Sequence, residues 1–103
     1  MTSRRRPIDL AARRAHRQLA AAINGGDLGR TIKDHVMVRA DLTDLDLVNA
    51  IVRGEVQTAR QAEGAELVGT VTRCTVVGPA VDGRRLTLLI EIQPPIAVIA
   101  GMG

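Results

Sequence analysis

At Gly54 the spacing of the apolar residues changes, and this change restricts the fold more than any other feature of the chain. Before it, Ile8, Ala12, Ala15, Leu19 and Ile23 recur every third or fourth residue, the stripe of an amphipathic helix, with Arg13, Arg14 and Arg17 off the stripe. After it, Leu86, Leu88, Ile90 and Ile92 fall on every second residue with Thr87, Glu91 and Gln93 largely opposite, the pattern of a strand buried on one face. Helices first and strands afterwards predict an α+β domain, in which N-terminal helices pack on an antiparallel sheet of about three or four strands.

The punctuation fits that order. Residues 1–7 read as a basic disordered tail ending at Pro7, a residue suited to the first turn of a helix, and residues 8–103 as a single α+β domain. Asn24-Gly25-Gly26 ends the first helix. Residues 28–40 are ambiguous: Leu28, Ile32, His35, Val36 and Arg39 fit a short helix, which is the reading adopted, although the β-branching near Val36 and Val38 also suits a strand. Residues 43–53 predict a helix with Thr43 as N-cap and Asp46 completing a capping box. Leu45, Val48, Ile51 and Val52 are its expected buried stripe, and Gly54 its expected C′ residue. Strands are expected over Glu55–Arg60, Leu67–Val77, Arg84–Gln93 and Ile96–Ile99, with turns at Glu63-Gly64, Gly78–Gly83 and Pro94-Pro95.

The core must form without Phe, Tyr or Trp, since the chain has none. Leu, Ile, Val and Ala supply its volume, and a homodimer that extends this aliphatic core is an open outcome. The same absence bears on function. Stacking of exposed bases on aromatic rings contributes about 1–3 kcal/mol per base in many single-strand binders, and this chain has only Arg planes to offer instead. A single cysteine, Cys74, rules out an intramolecular disulfide, and its place in a strand centre suits a buried small residue better than a nucleophile. One Cys and two His make a zinc site improbable, and no metal or cofactor is expected. No apolar run approaches the length of a membrane span and the start lacks the apolar stretch of a secretory signal, so a cytoplasmic chain is expected. Charge is unevenly placed: residues 1–40 hold nine Arg or Lys against three Asp, and residues 41–103 hold five Arg against eight Asp or Glu. A solvated helix face with a frayed basic tail explains the excess; so does an anionic partner, nucleic acid or an acidic protein.

Two positions carry the sharpest chemistry. With residues 34–39 helical, His35 and Arg39 lie one turn apart on one face. A histidine moves a proton near neutral pH, and an arginine beside it clamps a phosphate and stabilises charge developing there. Arg84 and Arg85, beside the Asp82-Gly83 turn, offer a second clamp, and Arg13 and Arg17 of the first helix further phosphate contacts. That set matches what metal-free RNA cleavage needs. The competing reading packs His35 at the helix–sheet boundary and pairs Arg39 with Asp34, Asp41 or a helix end. Base reading of DNA is disfavoured, because no recognition helix follows a tight turn.

Three segments, Asp34 to Arg39, Leu42 to Val56 and Arg73 to Ile92, resemble a bacterial family, the domain of unknown function numbered 4258. The first looks like its His-x-x-x-Arg, the second its helix followed by Gly-Glu, and the third its hairpin with Gly78 and an Asp-Gly-Arg turn. The likeness covers about two-thirds of the chain and leaves out the first thirty residues. The family is thought to be related to small metal-independent ribonucleases of the barnase and RelE type, often toxins encoded beside a zinc-finger antitoxin. The resemblance therefore implies an endoribonuclease acting on RNA by 2′-hydroxyl attack, held in check by an antitoxin protein, with His35, Arg39 and Arg85 catalytic. Family members tend to end in a strand carrying Thr and Tyr, whereas this chain ends Ile96 to Gly103 with neither. That departure keeps open a non-catalytic binding or regulatory module, of a mobile element or of a protein interaction, that uses the same basic face.

Overall fold

The computed structural model describes residues 10–63 and 70–102; side chains at 61–63 and 70 are left aside. The expected tail over 1–7, the helix start at Ile8, the turn at Gly64 and the strand start at Leu67 lie outside the described residues. In chain order the elements are α1 (Leu10–Gly25), β1 (Leu28–Arg30), α2 (Asp34–Arg39), α3 (Asp44–Arg53), β2 (Glu55–Glu63), β3 (Thr70–Pro79), β4 (Arg85–Gln93) and β5 (Ile96–Met102). The α+β class and the order of helices before the main strands are as expected.

The sheet differs from expectation. It has five strands in the order β1-β5-β4-β3-β2, and it is mixed, because β1 runs parallel to β5 while the other neighbours are antiparallel. The extra strand arises where a helix over 28–40 was expected. Gly26, at φ +75°, turns the chain out of α1, and Leu28, Gly29 and Arg30 then lie against Ala97, Val98 and Ile99. Flanking bonds extend the pairing: Ala97 N–H donates to the Asp27 carbonyl at 3.2 Å and Thr31 N–H to the Ile99 carbonyl at 2.9 Å. Only Asp34–Arg39 remains helical. A three-residue strand held by a partner some seventy positions away has no local period to announce it.

One face of the sheet carries the core. Cys74 and Val76 of β3, Leu88, Ile90 and Ile92 of β4, and Ala97 and Ile99 of β5 are buried, whereas the intervening Arg73, Leu89, Gln93 and Ile96 are exposed. Cross-strand register stacks these side chains, with Cys74 opposite Ile90, Val76 opposite Leu88, and Ile90 opposite Ile99. Ala15, Leu19 and Ala22 of α1 and Leu47, Ala50 and Ile51 of α3 close the layer from above. Each fully buried Leu or Ile contributes about 1.5–3 kcal/mol, so an all-aliphatic core of this size suffices without rings. No helix among the described residues is long and apolar enough to cross a membrane.

Helix α3 is rotated from its expected setting. Leu45 and Val52 are 65% and 57% exposed, and the buried face is Asp46, Leu47, Ala50 and Ile51. Its apolar residues span more than half the helix circumference, so the apolar arc can be centred in more than one way; backbone proximity selects one. The Ala50 carbonyl lies over both Gly54 and Gly78, whose Cα atoms face each other closely enough that a Cβ on Gly78 would stand 2.7 Å from the Gly54 Cα. Gly54 is extended (φ −92°, ψ −172°), so it is required by this close approach and not by the left-handed C′ geometry expected of it.

Candidate functional site

The turn between β3 and β4 is tied to the helices at three points. Thr43 and Asp46 form the expected capping box, in which Thr43 N–H donates to Asp46 Oδ2 at 2.8 Å and Asp46 N–H to Thr43 Oγ1 at 3.4 Å. The other Asp46 oxygen, Oδ1, accepts from Val81 N–H at 2.9 Å, which joins the N-terminus of α3 to the turn. One helical turn on, Asn49 Nδ2 donates to the Pro79 carbonyl at 3.0 Å. Bonds from the Thr43 backbone first, and the Val81 backbone second, hold the Asp46 carboxyl below its ordinary pKa.

Arg84 makes the third tie. Its Nη1 donates to the Ala40 carbonyl at 2.6 Å, its Nη2 to the Asp41 carbonyl at 3.0 Å, and its Nε to Asp82 Oδ2 at 2.8 Å. Ala40 and Asp41 follow α2 directly, and Asp41 stands in the left-handed region at φ 59°. A guanidinium here satisfies carbonyls at the negative end of α2 and fixes the chain reversal into α3. Of the five N–H bonds Arg84 carries, three are engaged, so its main structural task is to hold this corner.

His35 and Arg39 lie on α2, whose single buried side chain is Met37. Both are exposed, and among the described residues neither side chain makes a hydrogen bond or an ion pair. Neither acidic partner of the competing reading meets Arg39. Asp34 accepts from Arg30 Nη1 at 2.9 Å, while Arg30 Nε meets Asp44 at 2.8 Å. Asp41 meets Arg84 through its backbone. Histidine and arginine thus stand one turn apart and free, next to the corner that Arg84 fastens.

The remaining expected residues fall into two open grooves. Arg13 and Arg17 line one of about 840 Å³ between α1 and the start of β2, together with Arg14, His16 and Glu55. Arg85 lines a second, of about 390 Å³, with Arg53, Glu55, Gln57 and Pro79. The two grooves meet at Gly54 and Glu55, and His35 and Arg39 line neither. Arg85 and Arg39 are nonetheless linked through the backbone, since Arg84, next to Arg85, binds the carbonyl of Ala40, next to Arg39. Sequence reasoning passed over Arg14, His16, Arg53 and Glu55. The spacing of Arg13, His16 and Arg17 on one helical face was readable; the approach of Arg53 to Arg85 depends on the tertiary contact at Gly54.

Cys74 is buried on the core face of β3, and loss of solvent pushes its thiol up to about 11, so it is protonated and unreactive at neutral pH. Among the described residues no group of three or more His, Cys, Asp or Glu is placed to hold a metal ion. The chain matches no protein-family model, no curated protein and no solved structure.

Proposed function

We propose that this chain is a metal-independent endoribonuclease of the toxin–antitoxin type. The observation that carries the reading is the exposed, unpaired His35–Arg39 pair on α2, beside a corner locked by Arg84. The motif resemblance supports it. In this reading the neutral His35 imidazole takes the proton of a ribose 2′-hydroxyl, and the 2′-oxygen attacks the adjacent phosphorus. The bond to the 5′-oxygen breaks, leaving a 2′,3′-cyclic phosphate. The departing oxygen takes a proton from the imidazolium so formed or from water. Arg39 and Arg85 stabilise the charge that develops on the phosphate, and Arg13 and Arg17 hold flanking phosphates. Arg84 acts mainly by positioning α2, with two N–H bonds left to meet phosphate. An antitoxin protein would cover this basic face.

A second reading, a non-catalytic binding module with the same cations, is favoured by one observation: β5 carries Ile96, Ala97, Val98, Ile99, Ala100, Gly101 and Met102, with no hydroxyl among them. Induced expression in a bacterial host separates the two. The nuclease reading expects growth arrest and RNA decay with the wild type and neither with His35→Ala. Intact RNA and normal growth with both soluble proteins would leave the binding module.

A further inference from the structure

Most of the described arginines away from the two grooves already have partners. Arg30 pairs with Asp34 and Asp44, Arg73 with Glu91, and Arg84 with Asp82. Those that line the grooves do not. Among the described residues Arg13, Arg14, Arg17, Arg53 and Arg85 are exposed and make no hydrogen bond or ion pair. They come from three separate elements, α1, the last turn of α3 and the start of β4, yet they border one surface, because both grooves are floored by Gly54 and Glu55. Among the described residues Glu55 is the only carboxylate lining either groove, against five guanidiniums and His16.

We infer that the two grooves form one continuous track for the phosphate backbone of a nucleic acid, running from α1 across Gly54–Glu55 to the β4 start. Linear order is the reason. Cations strung along a concave path match a chain of evenly repeated anions, and a guanidinium matches a phosphate with two parallel hydrogen bonds. A flat membrane surface cannot follow a groove. An acidic protein would need an apolar interface centre depleted in charge, whereas this lining is mostly arginine. The chain has no Phe, Tyr or Trp, and His16 is the one aromatic ring among the described residues lining the grooves, so the track grips phosphates far more than it reads bases. The close Gly54–Gly78 contact has a second consequence here: it brings the end of α3, and so Arg53, to the hairpin strand that carries Arg85. This inference does not depend on cleavage by His35.

The test uses the full chain and a fluorescent 20-nucleotide DNA strand, which lacks the 2′-hydroxyl and therefore reports binding alone. Arg14→Glu and Arg53→Glu, on opposite sides of Glu55, should each weaken binding at least fivefold. Each should also flatten the dependence of log affinity on log salt by roughly the 0.7 expected per lost phosphate contact. Glu55→Gln should strengthen binding severalfold. Arg60→Glu makes the same charge change on the exposed side of β2, outside both grooves, and should stay within twofold. Equal losses from Arg60→Glu and Arg53→Glu would reduce the effect to net charge and overturn the track, as would full affinity in the Arg14 and Arg53 variants. Displacement of the DNA by polyglutamate at matched charge would assign the grooves to an acidic protein instead. His35→Ala should bind as the wild type does, so a silent nuclease with intact binding separates this inference from the catalytic one.

Discussion

Asp46 shows how much a single carboxylate decides in this chain. It caps α3 through Thr43 and pins the β3–β4 turn through Val81, and it is the one charged side chain among the described residues that is buried. Because those bonds favour the charged form, its folded pKa lies below the unfolded value of about 3.9. Its stabilisation is therefore complete above that value and lost as pH falls through the lower folded one. Asp46→Asn should unfold at a lower urea concentration than the wild type at pH 7, and the gap should close as pH drops below about 4. An unchanged gap down to pH 2 would show that the carboxylate's charge plays no part. The capping role was legible, since Thr43-x-x-Asp46 before an apolar run is a local signature. The bond to Val81 was not, because it spans thirty-five positions. The same division runs through the candidate site. The His35–Arg39 spacing could be read from the sequence, but their freedom from partners depends on the tertiary placement of Asp34, which pairs with Arg30, and of Asp41, which does not reach Arg39.

Among the elements, α3 and the hairpin beneath it set the geometry. Here the sequence offered two faces of one helix, and the tertiary contact of Ala50 with Gly54 and Gly78 chose between them. Gly78→Ala would press a methyl group into the Ala50 carbonyl and the Gly54 backbone, both fixed, so it should destabilise by about 1–3 kcal/mol or more. Ile51→Ala, on the buried face, should cost about 2–5 kcal/mol, and Val52→Gln, on the exposed one, less than about 0.5 kcal/mol. Denaturant unfolding reads the rotation through Val52, since Ile51 belongs to both faces; a large loss from Val52→Gln would restore the face that periodicity suggested. The strands fared better than the helices at this scale. Alternation along Leu86–Ile92 gave the buried face of β4 correctly, because a period of two leaves only two faces and one was plainly polar. Strand β1 escaped notice because three residues carry no period at all.

For the whole molecule, the sheet order places Cys74 inside the sheet, one strand in from its β2 edge: β3 lies between β2 and β4, with α1 and α3 over its buried face. Which strands neighbour one another was legible for the three pairs among β2–β5 that follow one another in sequence, and illegible for the parallel return of β1 to β5, which only the assembled core brings together. Function was less legible still, since the grooves join residues from three elements and the motif resemblance alone connects His35 to a reaction. The buried cysteine nonetheless offers a probe of the whole fold. Burial raises its thiol to about 11, above the unfolded value of about 8.5, so the folded state favours the protonated form. Stability linked to this thiol is fully present below about pH 8.5 and is lost as pH rises towards 11. The wild type should therefore lose stability over that window, and Cys74→Ala should lose less, whatever its stability at pH 7. Alkylation by iodoacetamide at pH 8 should be slow in the native chain and fast in 8 M urea, with a rate in between that follows the open population. Fast alkylation without urea would mean that the core face of β3 opens locally, and the α1–α3 layer would then have to be regarded as a lid over β3 instead of as one cooperative core with it.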